Sequence, residues 1–322
     1  MRLAAVSALV LPTLVGAPRW NWRDLPALPL AVGGAFAGMI EGQLIVAGGS
    51  YWLGAPWIPG SEKIFSDAIY GLEPGATAWR VMARLPKGLG YGGSFSYAGA
   101  LWLVGGQSAT GAERGILRVK RNGKVEGIGE LPAALMNMST ARYDGHFYML
   151  GGQPDLHACL RSQDLARWES CPAWPGPGRF LAQAAATEDG LYLVGGSDLK
   201  DGQRVFLRDA YRLRKGRWER LADLPVAVQA GFATIRDKAP YVLSGSDGTL
   251  APFEAELGAE HPGFSPLIWR FDNQRWSPVG RLPYAPVTAT LVEQDGALFI
   301  AGGEDRPAHR SARVLRGEPI NE

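Results

Sequence analysis

The chain has 322 residues, 46% of them hydrophobic and 20% charged, which is globular and supplies ample apolar material for a core. Lys and Arg number 33 against 31 Asp and Glu, and no basic run or stripe stands out, so nothing marks a nucleic-acid partner. The 43 Gly and 23 Pro favour many short strands joined by tight turns over a helical protein.

The N-terminus reads Met1-Arg2, an almost wholly apolar run over residues 3–15, then Gly16-Ala17. One positive charge, an apolar stretch and small residues before a cut after Ala17 predict a signal peptide over residues 1–17, with Pro12 and Pro18 as departures from the pattern. The run is too short to span a bilayer. A periplasmic or secreted protein is expected, with residues 18–322 as one domain.

Beyond this segment one unit recurs six times: a small acidic or Gly turn, an apolar strand, then a diglycine. The copies end at Gly48-Gly49, Gly105-Gly106, Gly151-Gly152, Gly195-Gly196, the degenerate Ser244-Gly245, and Gly302-Gly303. The last glycines stand at 49, 106, 152, 196, 245 and 303, so the steps are 57, 46, 44, 49 and 58 residues. A later signal follows most copies: Trp79 with Leu85-Pro86, Trp218 with Leu224-Pro225, and Trp276 with Leu282-Pro283. Trp168 with Trp174-Pro175 is a variant, and the second unit keeps Leu131-Pro132 without the Trp. The apolar run predicts a strand buried on both faces. The glycines allow positive φ and close backbone approach. The Trp fills the space between neighbouring sheets.

Six such units, five ending in a diglycine and one in Ser-Gly, with a spaced Trp resemble the kelch motif, whose period is about 50 residues. That resemblance implies an all-β fold, a six-bladed kelch-type β-propeller with four strands per blade. Only 19 residues follow Gly303 (322 − 303), enough for one more strand around residues 310–315. The missing outer strand is available at residues 20–25, which carry Trp22 and Leu25-Pro26. The last blade is therefore expected to be closed by the N-terminal strand, leaving no open edge.

Cys159 and Cys171 flank a predicted turn near residues 164–166. Antiparallel strands leaving that turn would place them opposite each other, so a disulfide suited to an oxidising compartment is one reading. Two unpaired small apolar residues is the other.

Ligands of a propeller are expected at one mouth of its channel. The loops after each diglycine carry Lys63 in an aromatic first loop, Gln107, Gln153, and Ser197-Asp198. The long fifth loop, residues 247–266, holds Glu254, Glu256, Glu260 and His261. Glu304 and Arg310 follow the sixth diglycine. Loops this long are functional or disordered, which makes the first and fifth candidate lids. Four or five residues past each Leu-Pro or Trp-Pro stand Tyr91, Asn137, Arg179 and Gln229, the candidates for substrate contacts.

Gly303-Glu304-x-x-Pro307-x-x-Arg310 is similar to the pattern of bacterial N-acetylneuraminate epimerases (sialic acid mutarotases), which are six-bladed propellers. Residues 63–70, 85–92 and 175–179 resemble other segments of that family. The blade order resembles a cyclically permuted branch, since the Glu/Arg blade is last here and mid-chain in the better-known members. The resemblance implies an isomerase with catalytic Glu304 and Arg310, and an acidic sugar as substrate. It places Arg179, Tyr91, Asn137, Gln229 and Lys63 as binding residues, with no metal or redox cofactor. Mutarotation opens a cyclic hemiketal and recloses it on the other face, which needs a base for the anomeric hydroxyl and an acid for the ring oxygen. Glu304 can shuttle that proton, while Arg310 or Arg179 holds the sugar carboxylate. A copper-radical sugar oxidase, which needs two His and two Tyr ligands, fits poorly with the scattered His146, His157, His261 and His309. A non-catalytic kelch propeller gripping a glycan or protein is the remaining alternative.

Overall fold

A computed structural model of the chain describes residues 19–54 and 57–320; the expected signal segment and its cut lie outside them. Each diglycine unit is one four-stranded antiparallel sheet, and six sheets surround a channel as a six-bladed β-propeller. The strand that ends in each diglycine is second in its sheet. Gln43–Ala47, Gly190–Val194, Ala239–Leu243 and Ala297–Ala301 are each buried along their whole length. A strand covered on both faces takes apolar side chains at every position, which explains the uninterrupted runs.

The sixth blade is built from both ends of the chain. It consists of Thr290–Gln294, Ala297–Ala301, Val314–Ile320 and the N-terminal strand Arg19–Leu25. The outer pair runs antiparallel from Arg19 opposite Ile320 to Leu25 opposite Val314. Its third strand begins at Val314, later than the expected residue 310, because His309–Arg310 pairs instead with Glu304–Arg306 in a separate hairpin.

Buried apolar side chains form six clusters, one between each pair of neighbouring blades. The repeated Trp residues stitch these interfaces from outside. Trp79, Trp218 and Trp276 donate their indole N–H to the carbonyls of Pro26, Pro172 and Ala222, each just past the outer strand of the preceding blade. Trp168 instead bonds the Leu165 carbonyl of its own turn and packs on Phe95 of the second blade. In the third blade Cys159 and Cys171 form a disulfide with Cα atoms 5.1 Å apart.

The blades also meet at the axis. Gly34, Tyr91, Asn137, Leu181, Ala230 and Thr288, one per blade, all have positive φ between 51° and 66°. Each donates its backbone N–H to the carbonyl of its counterpart in the preceding blade, and Gly34 closes the circle on Thr288, with bonds of 2.5–3.0 Å. Five of the six are not glycine, although the left-handed region costs an L-residue roughly 1–2 kcal/mol. The closed hydrogen-bond ring holds them there.

Gly34 is the position where the ring demands glycine twice over. Its φ is +66°, and a Cβ would lie 2.5 Å from the Tyr91 ring. Gly34→Ala should lower the unfolding free energy by at least the roughly 1–2 kcal/mol of a left-handed alanine, read as a lower urea midpoint with an unchanged slope. An unaltered midpoint would show that the ring does not constrain this residue.

Candidate functional site

The residue before each ring position forms an antiparallel bridge with the residue after a diglycine: Gly33 with Ser50, Gly90 with Gln107, Met136 with Gln153, Phe180 with Ser197, Gln229 with Ser246, and Val287 with Glu304. The geometry that makes this possible is local. Gly303 has φ +93°, and a Cβ there would lie 2.5 Å from the Val287 carbonyl oxygen. Only glycine lets the strand pass so close. Every post-diglycine residue is thereby pinned at the rim of the ring, and Glu304 is the one that is ionisable.

Above the ring lies a cavity of about 470 Å³ whose wall includes Glu304, Arg310, Lys63, Tyr91, Asn137 and Gln229. This is the size of a small-ligand pocket. The Glu304 carboxylate is held from three sides. Its Oε1 accepts from the Thr288 hydroxyl (2.9 Å) and faces the Arg310 guanidinium in an ion pair, and its Oε2 accepts from the Ala308 N–H (2.9 Å). Arg310 is itself anchored, donating from Nε to the Ser50 carbonyl (3.1 Å) and from Nη2 to the Tyr91 hydroxyl (3.0 Å). The Tyr91 and Ser50 hydroxyls share a further bond of 2.9 Å. Carboxylate and guanidinium are 14% and 7% exposed, so this pair is little screened by solvent.

Lys63 sits in the hairpin of Ser50–Leu53 and Glu62–Phe65, opposite Trp52. Its ammonium lies 4.1 Å from the centre of the Tyr91 ring. Burial and the neighbouring Arg310 charge lower its pKa to about 8, against the attraction of Glu304. Burial pushes the Tyr91 hydroxyl in the opposite sense, upward, opposed by Arg310 and reinforced by Glu304. Asn137 donates to the Gln153 side chain (3.0 Å) across one blade. Gln229 lines the cavity and is 3% exposed, and its Nε2 has no hydrogen-bond partner among the described residues.

Arg179 is the expected binding residue that the structure does not bring to the mouth. It stands two residues before the ring position Leu181, where other blades carry Leu89, Leu135 and Val228 as apolar plugs. Its side chain is fully buried. The guanidinium donates to the Gly195 carbonyl and forms an ion pair with Asp209 (2.9 Å), which also accepts from the Tyr211 hydroxyl (2.8 Å). Counting from the Pro at four or five residues mixes three registers: Tyr91 and Asn137 are ring residues, Gln229 precedes the ring, and Arg179 lies below it. The cation that does reach the cavity from the fourth blade is Arg204, stacked over Phe180 at 5.4 Å. It belongs to the hairpin Ser197–Lys200 and Gln203–Phe206, whose Asp201-Gly202 turn is a hairpin signal in the sequence. Thr288, which orients Glu304, had no mark in the sequence beyond its place in the repeat.

The two long loops adjoin each other over the sixth blade. The fifth-blade insertion holds a short helix, Glu254–Leu257, between two 3-10 turns. A Cβ at Gly258 would lie 3.8 Å from the Trp57 indole of the first loop, and Arg306 reaches the Ala259 carbonyl (3.5 Å). Glu254 and Trp57 both face the cavity. Among the described residues no group of three or more His, Cys, Asp or Glu is placed to hold a metal ion, and no helix is long and apolar enough to cross a membrane.

Fold and site together describe a β-propeller whose mouth carries an enclosed acid–cation pair beside further cations. The chain resembles the N-acetylneuraminate epimerases over part of its length. N-acetylneuraminate epimerase 1 of Escherichia coli O6:H1 is 35% identical over 118 residues, covering 33% of this chain and 31% of the relative. N-acetylneuraminate epimerases of Vibrio vulnificus (strain YJ016) and Brucella suis are each 34% identical, over 105 and 125 residues, covering 27% and 32% of those relatives. The chain thus matches about a third or less of the length of these relatives. The solved structure of YjhT superimposes with a TM-score of 0.70 over 92% of this chain and 99% of that one at 16% identity, a likeness of fold. No protein-family model matches the chain.

If Arg179 is a structural cation, Asp209→Ala leaves a buried guanidinium without its counter-charge and should destabilise the protein by about 3–5 kcal/mol. Arg179→Leu combined with Asp209→Asn should recover most of that loss, since leucine occupies the place in other blades. Denaturant unfolding of the two variants checks this. An Asp209→Ala protein as stable as the parent would contradict the assignment.

Proposed function

We propose that this protein is a mutarotase that interconverts the anomers of N-acetylneuraminate or a closely related acidic sugar. The carrying observation is the Glu304–Arg310 ion pair, fixed by Thr288, Ala308, Ser50 and Tyr91 on the wall of a cavity of sugar size. The partial resemblance to proteins named N-acetylneuraminate epimerase supports the substrate class.

Ring opening requires loss of the anomeric hydroxyl proton, cleavage of the bond between anomeric carbon and ring oxygen, and protonation of that oxygen. The open-chain keto acid turns about the bond to its carbonyl carbon and recloses from the other face. Nothing is consumed. Glu304 takes and returns the anomeric proton, and Arg310 holds it in position. Because Arg310 is engaged with Glu304, Ser50 and Tyr91, the sugar carboxylate is assigned to Lys63 and Arg204, and the amide and hydroxyl groups to Gln229 and Asn137. A periplasmic or secreted location belongs to the same reading and is supported by the Cys159–Cys171 disulfide.

Proton NMR of freshly released α-anomer tests the reaction. The wild type should speed approach to anomeric equilibrium well beyond the spontaneous rate. Glu304→Gln should fold normally and lose about 10²–10⁴-fold, the usual contribution of a general acid–base group. A wild type no faster than buffer, or a fully active Glu304→Gln, would remove the assignment.

Lys63 adds a pH signature. Its pKa of about 8 leaves the ammonium charged below that pH and neutral above it. Attraction for the sugar carboxylate is therefore present at pH 7 and fades as pH rises through about 8. KM should climb across that interval in the wild type and stay flat in Lys63→Arg, whose guanidinium remains charged. A flat wild-type KM would exclude Lys63 from carboxylate binding.

A further inference from the structure

Glu304 can be read as the sole proton shuttle of such a reaction, but its surroundings argue against that. Both carboxylate oxygens are already engaged, one by Thr288 and Arg310 and the other by the Ala308 N–H. A group clamped in this way serves one substrate atom well and does not swing to a second. The ring oxygen needs another donor.

The cavity wall carries two carboxylates, Glu304 and Glu254. They arrive from different directions. Glu304 is pinned at the rim of the ring, whereas Glu254 begins the short helix of the fifth-blade insertion. That insertion passes the fourth-blade hairpin, where Gly248 lies against Phe206, then Trp57 of the first blade at Gly258, and then the Asp305 carbonyl of the sixth blade at Gly263. Glu254 is therefore presented from the insertion over the mouth, and Glu304 from the rim of the ring.

The two carboxylates also differ in partners. No hydrogen bond or ion pair to the Glu254 carboxylate occurs among the described residues, in contrast to the triple anchoring of the Glu304 carboxylate. The charged groups facing Glu254 are Arg204 from the fourth-blade hairpin and Glu304 from the sixth blade. Lys63 and Arg310 complete the charges on the cavity wall, and Glu256 shares its helix. Partial burial raises the Glu254 pKa, Arg204 opposes the rise, and the Glu304 charge adds to it. Two carboxyl groups in one cavity, one ion-paired to Arg310 and the other with its pKa raised by burial, have the differing environments of an acid–base pair. A sugar carboxylate bound at Arg204 would offset the cation that opposes the rise, moving the Glu254 pKa further in the same direction in the complex.

We propose that Glu254 is the second acid–base residue of this site, the group that protonates the ring oxygen. The step rests on the mutarotase reading and balances as follows. The Glu304 carboxylate accepts the anomeric hydroxyl proton, that oxygen's electron pair forms the carbonyl, and the carbon–ring oxygen bond breaks with its pair staying on the ring oxygen. The Glu254 carboxyl group donates the proton to that oxygen. On reclosure Glu254 takes the proton back as the hydroxyl attacks the carbonyl carbon, and Glu304 returns its own to the carbonyl oxygen. Glu254 is a lid residue, so chemistry is coupled to the insertion being seated over the mouth.

The test uses full-length Glu254→Gln and Glu254→Asp. None of the helical turns over Ala251–Phe253, Glu254–Leu257 and Gly258–Glu260 contains a buried residue, so both variants should melt with the wild type. For Glu254→Gln, kcat should fall about a hundredfold or more while KM changes little, and the alkaline limb of the wild-type kcat profile should disappear. Glu254→Asp should recover part of the rate and keep a limb. Lys63 acts through KM, so Lys63→Arg separates the two effects. Wild-type kcat in Glu254→Gln, or a rise in KM alone, would overturn the proposal while leaving the mutarotase reading intact if Glu304→Gln is inactive. Carbon-13 NMR of the resting protein, with Glu254→Gln for assignment, reads the Glu254 titration without any sugar. A midpoint in the ordinary glutamate range would sink the proposal whatever the anomer assay shows.

Discussion

The rest of the structure hangs on the closed ring of six backbone hydrogen bonds through Gly34, Tyr91, Asn137, Leu181, Ala230 and Thr288. Six blades that touched only through side chains could slide or splay, because apolar contacts are non-directional. A ring of N–H to carbonyl bonds sets both spacing and orientation at the axis. It also forms the floor of the mouth and supports the six bridges that hold the post-diglycine residues at its rim. Strained left-handed residues are tolerated because the ring satisfies polar groups that would otherwise be buried without partners.

That constraint converts a repeat into a site. The repeat delivers six equivalent rim positions, and the chain fills them with Ser50, Gln107, Gln153, Ser197, Ser246 and Glu304. Five are neutral. The sixth is a carboxylate, and its hairpin supplies the matching guanidinium through the pairing of Glu304 with Arg310. The bonds from Arg310 to Ser50 and Tyr91 tie the pair to the first and second blades. Arg19–Leu25 is the outer strand of the sixth blade, and its loss would loosen the sheet from which the Glu304–Arg310 hairpin projects.

The charges of the molecule divide by where the ring puts them. Arg179 lies beneath the floor and is neutralised by Asp209 in the packed interface. Arg204, Lys63 and Glu254 lie above it and reach the cavity from the fourth-blade hairpin, the first loop and the fifth-blade insertion. The environments differ enough that the lysine pKa falls to about 8 while that of the lid glutamate rises. Both shifts have burial as their largest cause, and they run in opposite directions because burial disfavours the charged form of each group.

Periodicity alone determined a great deal. Local rules, diglycines that permit positive φ and uninterrupted apolar runs, repeat at near-constant spacing and can only be satisfied together by a ring of sheets, with the N-terminal strand as its closing piece. Glu304 and Arg310 were legible for the same reason, since their distance from the last diglycine places them at the rim. The tertiary structure alone decided which side chains share the cavity. Arg179 and Gln229 stand the same distance past a proline, yet one residue of register separates a buried plug from a cavity wall. Arg204, Thr288 and Glu254 come from three different blades and meet through contacts far apart in sequence. The pairing of Cys159 with Cys171 was likewise left open until the two Cα atoms were placed 5.1 Å apart. Strand periodicity is a property of neighbours along the chain, whereas convergence on a mouth is set by the ring, which only the closed fold contains.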